Sequence, residues 1–368
     1  MLSFLKRIFQ ILRQIDLIVY YLYDRLHHKI NERQVLFLSP SRTELNGNFA
    51  FIYEAIKDDY KVETALGEIK DRRHLAYMMA TSRYIIVDDF TPMIYPIPLS
   101  HRTKLIQVWH ALGAFKTVGY ARKGRNEDKY SLTHRNYTCA IVSSPAIVKD
   151  YALAFHMKKS KVLPIGIPRS DVFFDEAKKA KIKEDLYLEY PLLKGKKVVL
   201  FAPTFRGNNI YNAYYDYSKI SFKKLEQALG EDYVCIIKMH PFIKDLPKEE
   251  LDPKFFIDLS SRREINDLLM ITDVLITDYS SVIFEAALLP IKTIFFTYDL
   301  QDYMASRDFF YPFYKYTYGP VVNNEQDLIK AIKEGTIDEE KRREFVSYFM
   351  SACDGNATRR FVNTVLGG

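Results

Sequence analysis

The sequence predicts an open α/β fold in which parallel strands alternate with helices. From residue 34 onwards, short β-rich runs are separated by stretches of helical periodicity. The runs are nearly continuous Val, Ile, Leu and Phe, which is typical of parallel strands covered by helices on both faces. A chain of 368 residues is long enough for two such units of ordinary size, so we expect two domains.

The first segment, residues 2–30, predicts an amphipathic helix that precedes the α/β body. Its apolar stripe recurs at three- and four-residue steps and consists of Leu5, Ile8, Leu12, Ile15, Val19, Leu22 and Leu26. Lys6, Arg7 and Arg13 stand near the front of the helix, as in helices that lie in the headgroup region of an anionic membrane. The pattern also fits packing on the protein's own core or on a second subunit, which would give a homo-oligomer. The apolar run 17–23 is too short to span a bilayer.

The body of the chain divides into two halves, and strands alternate with helices in a similar way in each half. Strands are expected at 35–39, 84–88, 104–109, 140–143 and around 162, and then at 198–202, 234–239, 274–277, 293–297 and 321–322. Helices are expected at 218–229, 264–271 and 325–334. A stretch rich in lysine and glutamate, 175–197, separates the halves. We therefore expect three parts: the helix at 1–33, a first domain at 34–180 and a second domain at 181–368.

Composition narrows the class of function. Lys and Arg number 53 against 46 Asp and Glu, a net charge of +7 that favours anionic partners such as phosphates, nucleotides or a lipid surface. No GxGxxG or GxxxxGK[ST] motif occurs, which argues against dinucleotide-binding and P-loop proteins. The basic residues are dispersed without an RNA-recognition signature, so we expect no nucleic-acid partner. Three distant cysteines and the lack of a signal-peptide cleavage site predict a cytoplasmic protein with buried thiols.

Two histidines follow predicted strands directly. LIQVW leads into His110, which is followed by the flexible Gly113 and the cationic Lys116, and VCIIK leads into His240. Ligands of open α/β sheets bind at the carboxyl ends of the strands, where a histidine can act as a general base facing a phosphate. A structural histidine is the alternative at each position.

The segment TDVLITDYSSVIFEAALL predicts an anion site where a buried strand meets a helix. Asp278 follows the strand, and Ser280 or Ser281 can cap the helix, whose free N–H groups attract a pyrophosphate. Glu285 lies one turn further on, in a position to bond a ribose hydroxyl. Plain helix capping is the alternative.

Two further segments carry cations. APTFRGN, 202–208, follows a strand and contains Thr204 and Arg206, and the latter is suited to clamp a phosphate through two hydrogen bonds. DGNATRR, 354–360, leads into a helix that carries Arg360. The alternatives are a surface cation for Arg206 and a solvated charged face for Arg360.

In their order and spacing, WHALGAFK, APTFR, KMHP, TDYSSVIFE and DGNATRR resemble the CDP-glycerol glycerophosphotransferases of wall teichoic acid synthesis. The resemblance covers roughly residues 35 to 365. It implies a glycosyltransferase-B-like fold, with two Rossmann-type domains and the active site in the cleft between them. It also implies transfer of glycerol phosphate from CDP-glycerol to a hydroxyl of a polyprenyl-diphosphate-linked disaccharide, with release of CMP. The first domain would then be the acceptor side, and the second would bind CDP-glycerol.

The resemblance carries over to individual residues. His110 and His240 match the motif histidines of the two domains, Arg206, Ser280, Ser281 and Glu285 fall in the nucleotide-side motifs, and Arg360 falls in the terminal one. We expect His110 to be the base and His240, Arg206 and the serines to stabilise the pyrophosphate, although the histidine roles could be exchanged. Lys116, Thr204 and Asp278 complete the expected substrate-binding set. No carboxylate cluster of metal-ligand type accompanies them, so neither a metal nor another cofactor is expected, with Asp278 as the one candidate ligand.

Within the family, the short chain and the WHA form of the first motif favour a primase, which adds the first glycerol phosphate. The alternatives are a teichoic acid or capsule polymerase for glycerol or ribitol phosphate, and a sugar-nucleotide glycosyltransferase or epimerase of the same fold. A non-catalytic membrane scaffold is a further alternative. A polyprenol-linked acceptor lies in a bilayer, so we expect the N-terminal helix to associate peripherally with the inner face of the cell membrane.

Overall fold

A computed structural model describes residues 2–122, 131–207, 210–261 and 264–367, apart from the side chains of Leu2, Ser3 and Lys6. The chain forms two α/β units. Unit 1 comprises the chain up to Asp171 together with its end from Phe349, and unit 2 comprises Val172–Tyr348. Asn208, the last residue of the APTFRGN segment, lies outside the described ranges.

Unit 1 is built on a six-stranded parallel sheet. Its strands are β1 (Asn31–Ser39), β2 (Lys61–Leu66), β3 (Ser82–Val87), β4 (Lys104–Gln107), β5 (Tyr137–Ile141) and β6 (Val162–Leu163), in the order β2-β1-β3-β4-β5-β6. Its helices before Asp171 are α1 (Leu2–Leu12), α2 (Ile15–His27), α3 (Asn48–Ile56), α4 (Arg72–Thr81) and α5 (Val148–Ala154). The apolar side chains of the central strands are buried, as their continuous apolar runs predict.

Unit 2 repeats this plan. Its strands are β7 (Lys197–Phe201), β8 (Tyr233–Ile237), β9 (Phe256–Asp258), β10 (Val274–Thr277), β11 (Lys292–Phe296) and β12 (Val321–Val322), all parallel, in the order β12-β11-β10-β7-β8-β9. Its helices are α6 (Glu176–Glu189), α7 (Phe222–Leu229), α8 (Ile265–Leu269), α9 (Val282–Ala286), α10 (Leu300–Ser306), α11 (Glu325–Glu334) and α12 (Glu339–Phe349). The predicted α/β fold with two parallel sheets is confirmed.

The end of the chain returns to unit 1, whereas the sequence assigned everything after residue 180 to the second domain. The Tyr84 hydroxyl donates to the carbonyl oxygen of Leu366 at 2.7 Å, and Lys104 Nζ donates to that of Val365 at 2.9 Å. The carboxylate of Asp171 accepts hydrogen bonds from the first N–H groups of α13 (Ala357–Phe361). The expected border at 180–181 falls inside α6, because the stretch rich in lysine and glutamate forms a helix.

The predicted N-terminal helix is two helices, α1 and α2, separated at Arg13 and Gln14. One face of α2 packs on unit 1 through the buried Leu17 and Tyr21, and its buried Asp24 pairs with Arg73 of α4. The predicted apolar stripe runs along α1 and the opposite face of α2, and every member of it is exposed, from 37% at Ile8 to 83% at Leu26. Within the described ranges the stripe does not pack on the core, which contradicts one of its expected roles. No helix among the described residues has the length and apolar character needed to cross a membrane.

Candidate functional site

His110 lies in unit 1 beyond the carboxyl end of β4, beside the segment that follows β3. Its Nδ1 lies 3.2 Å from the carbonyl oxygen of Asp88 and 3.7 Å from a carboxylate oxygen of Asp89, and 44% of the side chain is exposed. A carbonyl oxygen only accepts hydrogen bonds, so the neutral ring carries its proton on Nδ1. The other nitrogen, Nε2, therefore keeps its lone pair, as a general base requires.

The backbone before His110 is held in an unusual conformation. Trp109 has a φ of +49°, the left-handed region, which costs about 1–3 kcal/mol for a bulky residue. The Asn48 side-chain amide donates to the carbonyl oxygens of Val108 and Trp109, at 3.1 and 2.7 Å. Gln107 Oε1 accepts a hydrogen bond from the Trp109 N–H at 2.8 Å. These two buried amides fix the turn that directs the imidazole of His110.

Gln107 also ties this turn to the neighbouring segment and to a buried polar cluster. Its Nε2 donates to the carbonyl oxygen of Asp89 at 3.2 Å and to the Tyr137 hydroxyl at 2.8 Å. The Tyr137 and Tyr95 hydroxyls lie 3.0 Å apart, and each contacts Nδ1 of His134. Burial lowers the pKa of His134 to about 4 and raises that of Tyr95 to about 12, so the cluster is neutral at pH 7.

Lys116 lies half-buried in the loop that follows His110. Gly113 anchors this loop, because its N–H donates to Ser143 Oγ at 3.1 Å and its carbonyl oxygen accepts from the Tyr151 hydroxyl at 2.8 Å. The loop is thereby attached to the end of β5 and to α5, which fixes the segment that carries Lys116.

Arg206 of unit 2 is buried in an ion-pair network rather than presented to a ligand. Its Nε and one Nη donate to the two carboxylate oxygens of Asp299, at 2.5 and 2.9 Å. The other Nη donates to Asp278 at 2.9 Å and to the carbonyl oxygen of Thr204 at 2.6 Å. Burial lowers the pKa of the Arg206 guanidinium, but Asp278 and Asp299 outweigh burial, and the pKa is raised. The predicted phosphate clamp does not match this geometry, because both carboxylates occupy the guanidinium.

Asp278 links two of the sequence motifs. Its Oδ1 accepts hydrogen bonds from the N–H groups of Thr204 and Tyr279, at 2.7 and 2.6 Å, while its Oδ2 pairs with Arg206. The Thr204 hydroxyl is buried and has no hydrogen-bond partner among the described residues. The loops after β7 and β10 are therefore joined through one carboxylate.

His240 meets the APTFR segment in the same unit. Its ring centroid lies 4.5 Å from that of Phe205 and 4.6 Å from that of Phe242. Its Nδ1 lies 3.2 Å from the Phe242 N–H, which can only donate. The neutral ring therefore carries its proton on Nε2, which makes this nitrogen a hydrogen-bond donor. His110 and His240 thus have opposite tautomers.

Ser280 and Ser281 directly precede α9, and Glu285 lies within this helix, which is only five residues long. Ser280 Oγ accepts a hydrogen bond from the Val282 N–H at 3.3 Å, whereas the side chain of Ser281 makes no capping bond. Both serines are half-buried, and Glu285 is 1% exposed. The expected position of Glu285 at a ribose hydroxyl would therefore require the carboxylate to become accessible.

Arg360 lies in unit 1, where its guanidinium contacts backbone and carboxylate groups of the same unit. Its guanidinium donates to the carbonyl oxygens of Ile165, at 2.8 Å, and Ala352, and one Nη pairs with Asp354 at 2.9 Å. These bonds attach the returning end of the chain to the segment after β6. The hydrogen bond with Asp354 raises the pKa of Arg360.

The structure thus brings Thr204, Arg206 and Asp278 together in unit 2 and places Ser280 and Ser281 directly after them. Sequence reasoning missed Asp299, which lies three residues beyond the end of β11, whereas Asp278 directly follows the adjacent β10. A search of the loops after the strands could have marked Asp299 as a polar residue, but not its pairing with Arg206. Sequence reasoning also missed Asn48 and Gln107, whose contacts depend on the tertiary fold. No cluster of three or more His, Cys, Asp or Glu side chains suited to a metal occurs in the described ranges.

Comparison with known proteins gives consistent matches. Residues 20–367 match the family model described as CDP-Glycerol:Poly(glycerophosphate) glycerophosphotransferase. A teichoic acid poly(ribitol-phosphate) polymerase of Bacillus spizizenii is 45% identical over 352 residues, which cover 92% of this chain and 56% of that protein. A teichoic acid ribitol-phosphate primase of the same species is 34% identical, with 91% of each chain covered. The structure of the wall teichoic acid polymerase TagF shares the glycosyltransferase-B-like fold, with a TM-score of 0.79 at 22% identity over 99% of this chain and 97% of that one.

Proposed function

We propose a function from one premise: this chain belongs to the CDP-Glycerol:Poly(glycerophosphate) glycerophosphotransferase family. On this premise it transfers a polyol phosphate from a CDP-activated donor to a hydroxyl group of a lipid-linked acceptor and releases CMP. Ribitol phosphate is the favoured polyol, because the poly(ribitol-phosphate) polymerase is 45% identical to this chain. The chain spans 56% of that relative's length, so the activity of the whole relative is not transferred to it. The proposed activity therefore depends on what the residues of this chain can do.

The observation that carries the proposal is the contact of His110 Nδ1 with the Asp88 carbonyl oxygen at 3.2 Å, from which the tautomer of the neutral ring follows. Its Nδ1–H is engaged by the Asp88 carbonyl oxygen and lies near the Asp89 carboxylate, which stabilises the ring once it gains a second proton. Nε2 takes the proton of the acceptor hydroxyl, and the oxygen attacks the phosphorus that bears the polyol. A positioned base of this kind accelerates transfer by about 10²–10⁴-fold.

His240 has the complementary task at the donor. Its Nε2–H donates a hydrogen bond to the phosphate oxygens that gain negative charge as the bond between phosphorus and the bridging oxygen breaks. The electron pair of that bond leaves with CMP, while the new bond joins the acceptor oxygen to the polyol phosphate. The opposite tautomers of the two histidines support this division of roles over the exchanged one.

The remaining predicted residues have supporting roles in this proposal. Arg206 acts indirectly, because its ion pairs with Asp278 and Asp299 hold the loops that carry Thr204 and Ser280. Ser280 and Ser281 contact the donor phosphates, and Lys116 contributes a cation on the acceptor side. Contact of the phosphates with Thr204 requires its buried hydroxyl to become accessible. Glu285 remains a proposed ribose contact and Arg360 a structural cation.

A glycerol-phosphate primase is the second candidate. The motif resemblance favours it, and a primase is matched over nearly its whole length, although that relative adds ribitol phosphate. A primase adds one polyol phosphate to the acceptor, whereas a polymerase adds many in succession.

The exposed stripe supports a further part of the proposal, peripheral contact with the inner face of the cell membrane. Its apolar side chains point to solvent along both α1 and α2, while the other face of α2 is anchored on α4. Such a surface suits an enzyme whose acceptor is embedded in lipid. A second copy of the chain is the competing occupant.

One assay tests the reaction. Purified protein is incubated with CDP-ribitol, CDP-glycerol or a UDP-sugar, together with a lipid-linked disaccharide that carries none or one glycerol phosphate. We expect release of CMP from CDP-ribitol and a ladder of products by mass spectrometry. A single added glycerol phosphate from CDP-glycerol would identify the primase. Consumption of UDP-sugar with both CDP donors inert would overturn the proposal.

A further inference from the structure

Unit 1 contains an apolar cavity of about 900 Å³ between α1 and the segment that follows β3. Leu5 and Phe9 of α1 line one wall, and Phe90 and Met93 line the other. Its polar lining consists of Gln10, Arg13, Gln14 and Arg72. This volume is within the range of small-molecule sites, and most of the lining is apolar, so the cavity suits a ligand with a hydrocarbon chain.

The cavity is connected to the candidate base through the segment that follows β3. Phe90 directly follows Asp89, whose carboxylate lies 3.7 Å from Nδ1 of His110. On the other side, Leu5 and Phe9 are 54% and 66% exposed and belong to the same apolar surface as the stripe. The cavity therefore extends from the surface proposed to contact the membrane to the segment that supports His110.

The charges in the polar lining point to an anionic head group. Arg72 is neutralised by Asp16, which accepts two of its hydrogen bonds at 2.6 and 2.8 Å. Arg13 is exposed, and within the described part of the chain its guanidinium has no ion-pair partner. One uncompensated cation thus stands beside an apolar cavity, an arrangement that complements an amphiphile with an anionic head group.

We propose that this cavity binds the polyprenyl diphosphate of the acceptor, with the hydrocarbon chain between Phe9 and Met93 and the diphosphate at Arg13. This inference rests on the proposed function for the identity of its ligand. The chain enters from the exposed face of α1, and the saccharide beyond the diphosphate then extends along the segment 88–90 towards His110. The apolar walls bind the lipid, while the cation selects a charged head group over a neutral one.

Farnesyl diphosphate, a short polyprenyl diphosphate, is the probe in a calorimetric titration without vesicles. We expect Met93→Glu to weaken its binding by about tenfold or more, because a charge replaces an apolar contact. We expect Arg13→Gln to weaken binding of farnesyl diphosphate several-fold and to leave binding of farnesol unchanged. Leu153→Glu is the matched control, because Leu153 is an exposed leucine of unit 1 outside the cavity, and it should bind the probe as the unaltered protein does.

Three outcomes would overturn the proposal: no binding of farnesyl diphosphate, equal binding by Met93→Glu in a protein that still unfolds cooperatively, or displacement of the probe by short-chain phosphatidylglycerol. A fourth outcome is measured by sedimentation. If the unaltered protein is a dimer and Met93→Glu dissociates it, the cavity binds a second copy of the chain and the proposal is overturned. The titration requires no donor and no turnover. Failure of the transfer assay alone would therefore reject the proposed reaction and leave the lipid site standing.

Discussion

The side-chain amide of Asn48 donates a hydrogen bond to the carbonyl oxygen of Trp109 at 2.7 Å, across 61 residues of chain. It thereby restrains a residue whose backbone is in the left-handed region and which directly precedes His110. Asn48 Oδ1 accepts a hydrogen bond from the Arg169 N–H at 3.0 Å, so the whole amide is fixed. A first-turn residue of α3 therefore positions the candidate base, although it does not touch the substrate.

We expect Asn48→Ala to lower kcat by about 10–100-fold, because misdirection of a catalytic group costs rate without loss of binding. The donor KM should change little. Removal of the buried amide should also lower the free energy of unfolding by about 1–3 kcal/mol, measured by denaturant titration. Asn324→Ala is the control, since it removes a helix cap in unit 2 and costs about 1 kcal/mol without contact to either histidine. Equal losses of kcat in both variants would assign the effect of Asn48 to stability alone.

The division of roles between the histidines gives a second prediction. His110→Ala should lower kcat by about 10²–10⁴-fold while the Kd of the CDP donor stays unchanged, because the base acts on the acceptor. His240→Ala should lower kcat and also weaken donor binding, because its Nε2–H faces the phosphates. Calorimetric titration with the donor separates the two effects. Donor binding lost in His110→Ala and retained in His240→Ala would reverse the assignment.

A third prediction tests whether Arg206 acts indirectly, by holding the loops that carry Thr204 and Ser280. We expect Arg206→Lys to lower the free energy of unfolding by about 1–3 kcal/mol, because a lysine keeps the charge but cannot reproduce the paired bonds to Asp299 while also bonding Asp278. Donor binding should fall together with stability. Arg343→Lys, at an exposed arginine of α12, should change neither quantity. A variant of Arg206 that keeps its stability and loses only donor binding would restore the direct phosphate clamp.

Much of the sheet architecture follows from the sequence because the central strands are continuous apolar runs. The missed strands are β2 and β9 at sheet edges, and β2 mixes Lys61 and Glu63 with its apolar residues because an edge strand is partly solvated. In the site, strand-end polar residues identified both histidines and Asp278. The partner of Arg206, Asp299, is 93 residues distant, and a pairing between side chains at that separation has no local pattern.

The apolar stripe gives a fourth prediction. We expect the combined substitutions Val19→Glu and Leu26→Glu to weaken binding to phosphatidylglycerol vesicles by about tenfold or more, since both side chains are more than half exposed and burial of each in lipid would be lost. Binding of the CDP donor should be unaffected. Leu153→Glu again serves as the control. Unchanged vesicle binding, together with dissociation of a dimer, would assign the stripe to subunit contact.

His134 gives a prediction for pH dependence. Burial lowers its pKa from 6.5 to about 4, and the side chain is only 5% exposed. Between pH 6.5 and 4 the unfolded chain therefore binds a proton that the folded protein does not, so this residue makes the protein less stable as the pH falls through that window, by about 3 kcal/mol in total. The contribution is constant above pH 6.5.

Substitution of His134 separates its contribution to the pH dependence of stability from that of the carboxylate groups of the protein. We expect His134→Asn to lower stability at pH 7 through loss of contacts with Tyr95 and Tyr137, and to lose less stability than the unaltered protein between pH 7 and 4. Asparagine tolerates the φ of +60° at this position. His156→Asn is the matched control, because His156 also has a positive φ, of +51°, but is exposed and should leave the pH slope unchanged. Denaturant titrations at several pH values give the dependence of the free energy of unfolding on pH for the three proteins. Parallel dependences in all three would show that His134 is protonated equally in the folded and unfolded states.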